Sequence, residues 1–341
     1  MGGEGVSIIV CCFNSAALLE QTLKHVAAQQ LDSDLACEVI LVDNASSDNT
    51  QETVRTIWLN NSPSKINMVI VHEPQPGLMN ARKKGIKEAQ YEYLVFCDDD
   101  NWLDENYAAK VFKLFNQYPQ AAILGGVGTA QFEDRNLKPS WFDNFYHGYA
   151  VGEQAEKEQT LNSVYGAGMA IRKSVIKDVI DNGELFLHDR KQTYLSSGGD
   201  TELCFIVRLA GYEVLYSPKL TFRHFLTNKR LTWDYLKKLH IGFAKSYVVL
   251  NLYEKALNSE RTGLSYFYWL KKALYYWLIY LKYWPQHYAA YSNGEGTIGE
   301  IHHITWKNIA VSYLRYNFKT IGIYNKIIAL GQQTTAIRNE N

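Results

Sequence analysis

Short apolar runs, rich in β-branched residues, alternate with segments of helical periodicity along the first part of the chain. The runs predict strands at residues 7–12, 38–42, 67–72, 93–97 and 121–125. Apolar residues at helical spacing predict helices between them, at residues 16–30, 50–60, 78–89 and 105–117. Strands that alternate with helices are typical of βαβ units, so the pattern predicts an α/β fold with a mainly parallel sheet.

The pattern changes after this region. Residues 131–159 are polar and aromatic. They predict long functional loops rather than a linker, because the aromatic side chains of a linker would be exposed to free solvent at a cost. Another helix is predicted after Asp200, and from Leu231 onward the chain predicts several helices rich in Tyr and Trp. We therefore predict an α/β domain over residues 1–229 and an aromatic-rich helical subdomain over residues 230–341.

The charge composition excludes one class of partner. The chain has 341 residues, long enough for two domains of ordinary size. Its 35 Lys and Arg residues balance its 35 Asp and Glu residues, so no net positive field favours nucleic acid. A charged ligand must therefore be bound by a local site.

Three further features indicate where the protein works. The five cysteines are odd in number, form no CxxC pair and mostly lie in apolar runs, which predicts a reduced, intracellular protein. The first residues lack the basic and apolar segments of a secretory signal. No run reaches the roughly 18 apolar residues that a spanning helix needs. We expect a cytoplasmic protein that does not cross a membrane but can lie on its inner face.

Polar residues gather where three of the predicted strands end. Asn14 follows the first strand, Asp43 and Asn44 the second, and Asp98, Asp99 and Asp100 the fourth. Parallel α/β sheets bind ligands beyond the carboxyl ends of their strands, so these loops are expected to converge on one crevice. This convergence is more informative than any single motif.

The three adjacent carboxylates after the fourth strand repel one another unless a cation or hydrogen bonds compensate. Mn²⁺ and Mg²⁺ prefer oxygen ligands and bind through one or two carboxylates together with substrate phosphates. Asp98 and Asp100 are therefore candidate metal ligands, and Asp98 and Asp99 candidate contacts of a donor. The alternative is a solvated acidic turn or a cap of the next helix.

Other side chains are candidates for the same site. Asp43 can accept a hydrogen bond from a uracil imide or a ribose hydroxyl, whereas Asp48 is expected to cap a helix. Arg82 can bind phosphate or donor hydroxyls, and its alternative is a solvent-facing position on a helix. His224, after a short predicted strand, is a candidate metal ligand, although a lone histidine is more often structural.

Asp200 follows a glycine turn and opens an apolar helix. Capping of the helix would explain an acid at this position. A helix N-terminus also favours the ionised carboxylate, which is what a general base for an acceptor hydroxyl requires. Both roles are compatible, and Asp200 is the candidate catalytic base.

Taken in order, the motifs resemble those of family 2 glycosyltransferases, which have the GT-A fold and transfer a sugar from a nucleotide donor. The resemblance covers residues 5–226. It rests on residues 8–14 (IIVCCFN), 42–48 (VDNASSD), Gly77 with Ala81 and Arg82, 98–100 (DDD), 166–172 (GAGMAIR) and 200–203 (DTEL). Singly these motifs are weak, but their order and spacing are specific.

The resemblance implies a role for several residues. Asp43 would contact the donor base, Asp98 and Asp100 would form the DxD metal motif, and Asp200 would be the catalytic base. The segment that contains Gly168 would form the floor under the sugar. Two positions depart from the family pattern, because Gly199 stands where a Glu is frequent and Lys83 stands where an Asn is frequent.

The resemblance also implies the partners. The donor would be a nucleotide sugar, in the first place a UDP-sugar. Its sugar would be transferred to a glycan or lipid-linked acceptor with inversion and with help from Mn²⁺ or Mg²⁺. The aromatic, lysine-bearing C-terminal helices can rest at a membrane interface. The alternative is that they pack as a helical subdomain or a dimer contact.

Rival enzyme classes differ in their motifs. A dinucleotide-dependent oxidoreductase has a glycine fingerprint directly after its first strand, where this chain has Cys12, Phe13, Asn14 and Ser15. No GxxxxGK[ST] motif of a P-loop NTPase occurs. A nucleotidyltransferase and a non-catalytic nucleotide- or glycan-binding relative remain as alternatives.

Overall fold

A computed structural model describes residues 3–61, 66–182, 185–187, 197–258, 263–284 and 295–340. The chain divides into two compact units. Residues 1–133, 149–184 and 211–226 form the sheet unit, and residues 134–148, 185–210 and 227–341 form the helical unit. The domain boundary proposed at residues 229 and 230 stays a prediction.

The sheet unit contains a mixed, mostly parallel sheet. Its strands are β1 (Gly3–Cys12), β2 (Cys37–Asp43), β3 (Asn67–His72), β4 (Tyr91–Asp98), β5 (Asn101–Leu103), β6 (Ala121–Phe132), β7 (Gln159–Thr160), β8 (Ala170–Arg172) and β9 (Glu213–Leu226). They lie in the order β3-β2-β1-β4-β8-β6-β9-β5, and β7 pairs with β9.

The strand directions divide this sheet into parts. Strands β3, β2, β1 and β4 are parallel to one another, with Cys12 of β1 opposite Asp43 and Cys11 opposite Asp98. Strand β8 is antiparallel to both β4 and β6, whereas β6 and β9 are parallel. The parallel register brings the carboxyl ends of β1, β2 and β4 to one edge of the sheet.

Helices alternate with the strands along the chain and cover the sheet. They are α1 (Leu19–Ala27), α2 (Thr50–Asn61), α3 (Leu78–Glu88), α4 (Tyr107–Gln117) and α5 (Lys173–Asn182). The residues of β1 from Val6 to Cys12 are all buried, as expected for a parallel strand covered on both faces. The five strands and four helices predicted for the first part of the chain are therefore confirmed, with shifted ends.

The differences from prediction have local causes. Helix α1 begins three residues later than predicted, because the carbonyl of Ser15 accepts the N–H groups of Leu18 and Leu19 in a turn. Strand β6 runs seven residues beyond its predicted end at Gly125, since it pairs with β9 along its length. Glycines at positions 125, 126 and 128 hid this extension from sequence analysis.

The helical unit contains α6 (Gly199–Leu209), α7 (Trp233–Asn258), α8 (Tyr268–Lys282), α9 (Ile298–Tyr316) and α10 (Lys319–Glu340). Ala244, Val248, Ala273, Ile309 and Tyr313 form a core between three of these helices. No helix among the described residues has the length and apolar content needed to cross a bilayer.

The aromatic residues near position 140 are buried, as expected for side chains that are costly in solvent. The indole of Trp141 is fully buried and lies 5.8 Å from the ring of Trp233, centroid to centroid. Phe145 packs on the indole of Trp233 and on the ring of His240. These residues form part of the helical unit.

The five cysteines are all buried, and none forms a disulfide. Burial raises the pKa of the Cys11 thiol to about 12, and that of Cys37 to about 12. Each therefore stays protonated at neutral pH and packs as a small apolar side chain.

Two glycines inside helices provide a test of packing against the sheet. A Cβ atom at Gly85 would lie 2.4 Å from Cγ2 of Ile9, whereas one at Gly322 would meet no atom within 4 Å. We expect Gly85→Ala to lower the free energy of unfolding by about 1–3 kcal/mol. Gly322→Ala should raise it by up to about 1 kcal/mol, because alanine favours helix. Chemical denaturation followed by circular dichroism measures both, and changes of the same sign would contradict this account.

Candidate active site

Strand β4 ends in Asp98, and Asp99 and Asp100 form the turn that leads into β5. The three side chains are partly buried, with 32% of the Asp98 side chain and 14% of the Asp100 side chain exposed. Each carboxylate has different partners. The acidic cluster is therefore more than a solvated turn, because specific contacts fix each of its members.

Asp98 faces a buried cation. Nη2 of Arg82 lies 4.0 Å from Oδ1 of Asp98. Only 1% of Arg82 is exposed, and its guanidinium lies 4.8 Å from the centroid of the Phe96 ring. The alternative of a solvent-facing Arg82 is therefore wrong. A guanidinium held between a carboxylate and an aromatic face provides a fixed positive charge at the end of β4.

Asp99 connects β4 to the loop after β1. Its Oδ2 accepts a hydrogen bond from the hydroxyl of Ser15. Its backbone carbonyl accepts a hydrogen bond from the hydroxyl of Thr22 at 2.7 Å. The acidic turn is therefore fixed to the segment that enters helix α1.

Asp100 faces His224. Nε2 of His224 lies 3.4 Å from Oδ2 of Asp100, and Nδ1 lies 2.6 Å from the carbonyl oxygen of Tyr149. A carbonyl can only accept, so Nδ1 carries a proton and donates it. In the neutral ring Nε2 is then an acceptor that faces a carboxylate. A proton or a metal ion between the two groups would relieve their repulsion.

His224 was expected after a short strand, and this expectation is wrong. It lies within the fourteen-residue strand β9, opposite Asn101 of β5 and Ala130 of β6. Pro218 lies in β9 and obscured its continuity in the sequence, because proline interrupts strand patterns. The pairing with β5 is what brings the imidazole to Asp100.

The metal ligands predicted from the sequence are only partly assembled. Over the described part of the chain, no group of three or more His, Cys, Asp or Glu side chains can hold a metal ion. Asp100 and His224 face each other, while Asp98 faces Arg82. These residues fit an ion bound by few protein ligands and completed by substrate phosphates, as Mg²⁺ commonly is, but not a closed protein site.

The loops after β1 and β2 are tied to each other. Asn14 has a positive φ of 52°, and its side-chain carbonyl accepts the backbone N–H of Ser47 at 2.8 Å. The backbone N–H of Asn14 donates to the hydroxyl of Ser46 at 3.0 Å. Together with the Ser15–Asp99 bond, these contacts join the ends of β1, β2 and β4. The convergence predicted from the sequence is confirmed.

Asp43 is a buried carboxylate at the end of β2. It accepts hydrogen bonds from the Ser46 N–H at 3.2 Å and from the Gln51 amide, and Nδ1 of His72 lies 3.4 Å away. Burial by itself raises the pKa of Asp43, but the bonds from Gln51 and Ser46 outweigh burial and hold the pKa below its usual value. Asp43 is therefore ionised at neutral pH.

Two nearby residues have structural roles. Asp48 accepts the N–H of Thr50, the first residue of α2, at 3.1 Å, in agreement with the predicted cap. Asn44, to which sequence analysis gave no role of its own, accepts the Gly77 N–H at 2.7 Å and donates to the Gln75 carbonyl at 2.7 Å. An Asn directly after a strand-end Asp was the available signal for this contact.

Gly168 lies in the turn before β8. Its φ is +66°, and a Cβ atom there would lie 2.7 Å from the hydroxyl oxygen of Tyr107. That hydroxyl donates to the carbonyl of Gly168 at 2.6 Å. Backbone conformation and lack of space both favour glycine at this position.

Asp200 belongs to the helical unit. It is the second residue of α6, and the N-cap residue is Gly198, with φ of 109°. The expectation that Asp200 occupies the cap position is therefore wrong by two residues. Asp200 still lies in the first helical turn, where the exposed N–H groups of the helix favour a negative charge.

Comparison with known proteins decides the family. The model of "Glycosyl transferase family 2" matches residues 7–180. This chain belongs to glycosyl transferase family 2. The family and enzyme class predicted from the motifs are confirmed.

Curated relatives support the same assignment. Poly-beta-1,6-N-acetyl-D-glucosamine synthase from Staphylococcus aureus (strain COL) is 26% identical over 223 residues, which are 63% of this chain and 48% of the relative. The chain thus spans about half the length of the curated relatives it matches.

Solved structures confirm the GT-A fold of this family 2 glycosyltransferase. The mannosyltransferase PcManGT from Pyrobaculum calidifontis, in complex with GDP-Man and Mn²⁺, has a TM-score of 0.52 and 16% identity. That similarity covers 98% of this chain and 75% of the other. GalNAc-T7, with UDP, GalNAc and Mn²⁺, has a TM-score of 0.51 and 14% identity over 74% of this chain and 49% of its own.

Glu202 is a second acid near the start of α6 that sequence analysis did not assign. It is fully buried, and its two oxygens accept the N–H groups of Phe186 at 2.8 Å and Leu187 at 2.9 Å. The hydroxyl of Tyr253 on α7 donates to Oε1 at 3.0 Å. Burial and the charge of Glu202 raise the pKa of Tyr253, which therefore stays protonated. Glu202 thus ties α6 to α7 and to residues 186 and 187.

Variants of this contact should lower stability in a fixed order. Glu202→Gln places an amide NH₂ against a buried backbone N–H, and we expect a loss of about 2–4 kcal/mol in the free energy of unfolding. Tyr253→Phe removes one donor and should cost about 1 kcal/mol. Denaturant titration measures both losses. An unchanged midpoint for Glu202→Gln would show that the carboxylate is not needed.

Proposed function

We propose that this family 2 glycosyltransferase moves a sugar from a nucleoside diphosphate donor, first of all a UDP-sugar, to a hydroxyl of a glycan or lipid-linked saccharide. The observation that carries the proposal is the convergence of Asp43, Arg82 and the Asp98–Asp100 turn at one edge of the sheet. The ionised carboxylate of Asp43 matches the nucleotide base of such a donor. The buried cation of Arg82 matches its phosphates, and the acidic turn matches its metal ion.

Asp43 is the proposed contact of the nucleotide base. Because its pKa is held low, it is a permanent acceptor for a uracil imide N–H or a ribose hydroxyl. The donor would share this carboxylate with the Gln51 and His72 side chains. Asn14, Asp99 and Gly168 are proposed to border the donor, with Gly168 forming the floor under the sugar.

Asp98, Asp100 and His224 are the residues that would hold a Mn²⁺ or Mg²⁺ ion. The carbonyl of Tyr149 orients the imidazole, and the amide of Asn101 donates to Oδ1 of Asp100 at 2.9 Å. Such support behind the ligands is typical of metal sites. A bound ion would neutralise charge on the departing diphosphate. The structures of PcManGT and GalNAc-T7 both contain Mn²⁺, which supports this cofactor.

Asp200 is the proposed general base. Its carboxylate takes the proton from the acceptor hydroxyl as the acceptor oxygen forms a bond to the anomeric carbon. The bond from that carbon to the diphosphate oxygen breaks, and its electron pair leaves with the nucleoside diphosphate. A single displacement of this kind inverts the anomeric configuration. Arg82 would stabilise charge on the phosphates through its fixed guanidinium.

The acceptor and the location remain part of the proposal. The S. aureus relative is named for the synthesis of a polymer of N-acetylglucosamine, which supports a saccharide acceptor. We propose that transfer takes place in the cytoplasm, at the inner face of the membrane, where lipid-linked saccharides are accessible.

Calorimetric titration with UDP, GDP and their sugars tests the donor site. With Mn²⁺ present, one nucleotide should bind, and EDTA should weaken its binding about tenfold or more, because charge-assisted contacts are lost. Asp100→Ala should have the same effect as EDTA. Asp32→Ala, which changes an acid paired with Lys113 away from the site, is the matched control and should bind normally. Absence of binding by every nucleotide would contradict the donor assignment, and binding unchanged by EDTA would contradict the metal.

The base assignment has a separate test. Asp200→Asn should lower transfer by about 100-fold or more, because proton removal is lost, while donor affinity stays unchanged. Release of nucleoside diphosphate in the presence of saccharide acceptors measures turnover. Near-normal turnover of the variant would make the assignment wrong. Release of pyrophosphate by the wild type would instead indicate a nucleotidyltransferase, and binding without any turnover a non-catalytic relative.

A further inference from the structure

Helix α8 has an inner face that packs in the helical unit. Trp269, Ala273, Tyr276 and Tyr280 recur at helical spacing along this face, and Ala273 and Tyr280 are buried. The hydroxyl of Tyr276 donates to that of Tyr247 on α7 at 2.8 Å. This inner face accounts for the packing of α8 against its neighbours.

The opposite side of α8 is also apolar, although it is exposed. Leu278 is 66% exposed, Leu281 59%, and Leu274 and Tyr275 are each 55% exposed. Phe267 and Phe318 extend this surface beyond the start of the helix. We call these six residues the exposed α8 face. A helix that is apolar on all sides is normally buried on all sides, so this face is expected to have a partner.

The charges in the two segments that carry this face have one sign. Residues 266–282 and 314–319 contain Lys271, Lys272, Lys282, Arg315 and Lys319, and no Asp or Glu. Glu254 on α7 interacts electrostatically with one of these cations, Lys272. The remaining cations border an apolar surface without acidic residues in the same two segments. A partner of this surface should therefore be apolar and negatively charged.

We propose that the exposed α8 face binds the surface of a lipid bilayer that contains anionic lipid. The helix has 15 residues and bears lysines, so it is suited to lie in the interface rather than to cross it. Leucine and phenylalanine side chains would enter the acyl boundary, Tyr275 would lie at the headgroup level, and the basic side chains would contact lipid phosphates.

A second copy of the chain fits this surface less well. A symmetric dimer places the same patch of both subunits against each other. The basic side chains of one subunit would then lie near the same basic side chains of the other, without acidic partners from these segments. This arrangement is unfavourable, because like charges repel. Anionic lipid provides the missing negative charge. This inference deepens the proposed location at the membrane and rests on it, and the binding it describes is measurable without donor or acceptor, so that it is tested separately from sugar transfer.

Vesicle co-sedimentation tests this surface. The full chain should sediment with vesicles of phosphatidylcholine and phosphatidylglycerol, less with phosphatidylcholine alone, and less again in high salt. The double variant Leu274→Gln/Leu278→Gln should bind about tenfold more weakly, because two apolar side chains no longer enter the membrane. Lys271→Gln should weaken binding to the anionic vesicles about fivefold.

Leu59→Gln is the matched control, because Leu59 is 81% exposed on α2 and belongs to the other unit. It should bind vesicles as the wild type does, and circular dichroism should show that every variant is folded. Failure of the wild type to bind anionic vesicles at low salt would overturn the proposal. Sedimentation velocity distinguishes the alternative, since a dimer dissociated by the double variant, without vesicle binding, would assign this face to a second copy.

Discussion

The compensation of three adjacent carboxylates at the end of a buried strand is the constraint on which the site depends. Asp98, Asp99 and Asp100 repel one another within a single turn unless other groups balance their charges. Asp98 has a guanidinium and Asp99 a hydroxyl as its partner, whereas the imidazole that faces Asp100 compensates the charge of that carboxylate only with a proton or a metal ion between them. These partners come from α3, the loop after β1 and strand β9. The fold of the sheet unit is therefore also the support of its acidic turn.

The contacts that satisfy the turn also tie together the loops at the edge of the sheet. Ser15 bonds to Asp99, and its neighbour Asn14 bonds to the loop after β2. Asp43 at the end of β2 is in turn held by Ser46 and Gln51. Each link fixes a loop that would otherwise cost conformational entropy to order on binding a donor. Such preorganisation is what the proposed nucleotide-sugar site would require, since departure of the leaving group depends on positioning.

The first turn of α6 in the helical unit carries two acids, Asp200 and Glu202. Backbone and tyrosine donors hold the carboxylate of Glu202, whereas Asp200 is the acid of the first turn of α6 that we propose as the general base. A helix turns the side chains of two acids with one residue between them in different directions, so Asp200 and Glu202 have different surroundings. On α8 the same geometry separates a packed face from an exposed apolar one.

The sequence by itself determined the strands and helices of the first part of the chain, the convergence of polar loops at one sheet edge, and the family. Local periodicity and the order of short motifs carry this information, and both are properties of neighbouring residues. Only the tertiary structure decided that Arg82 is buried beside Asp98, that His224 lies within β9 opposite β5, and that Glu202 contacts Tyr253. It also decided which apolar side of α8 is exposed. These facts depend on pairing between distant segments, and an apolar pattern records that a residue prefers to be buried but not which partner buries it.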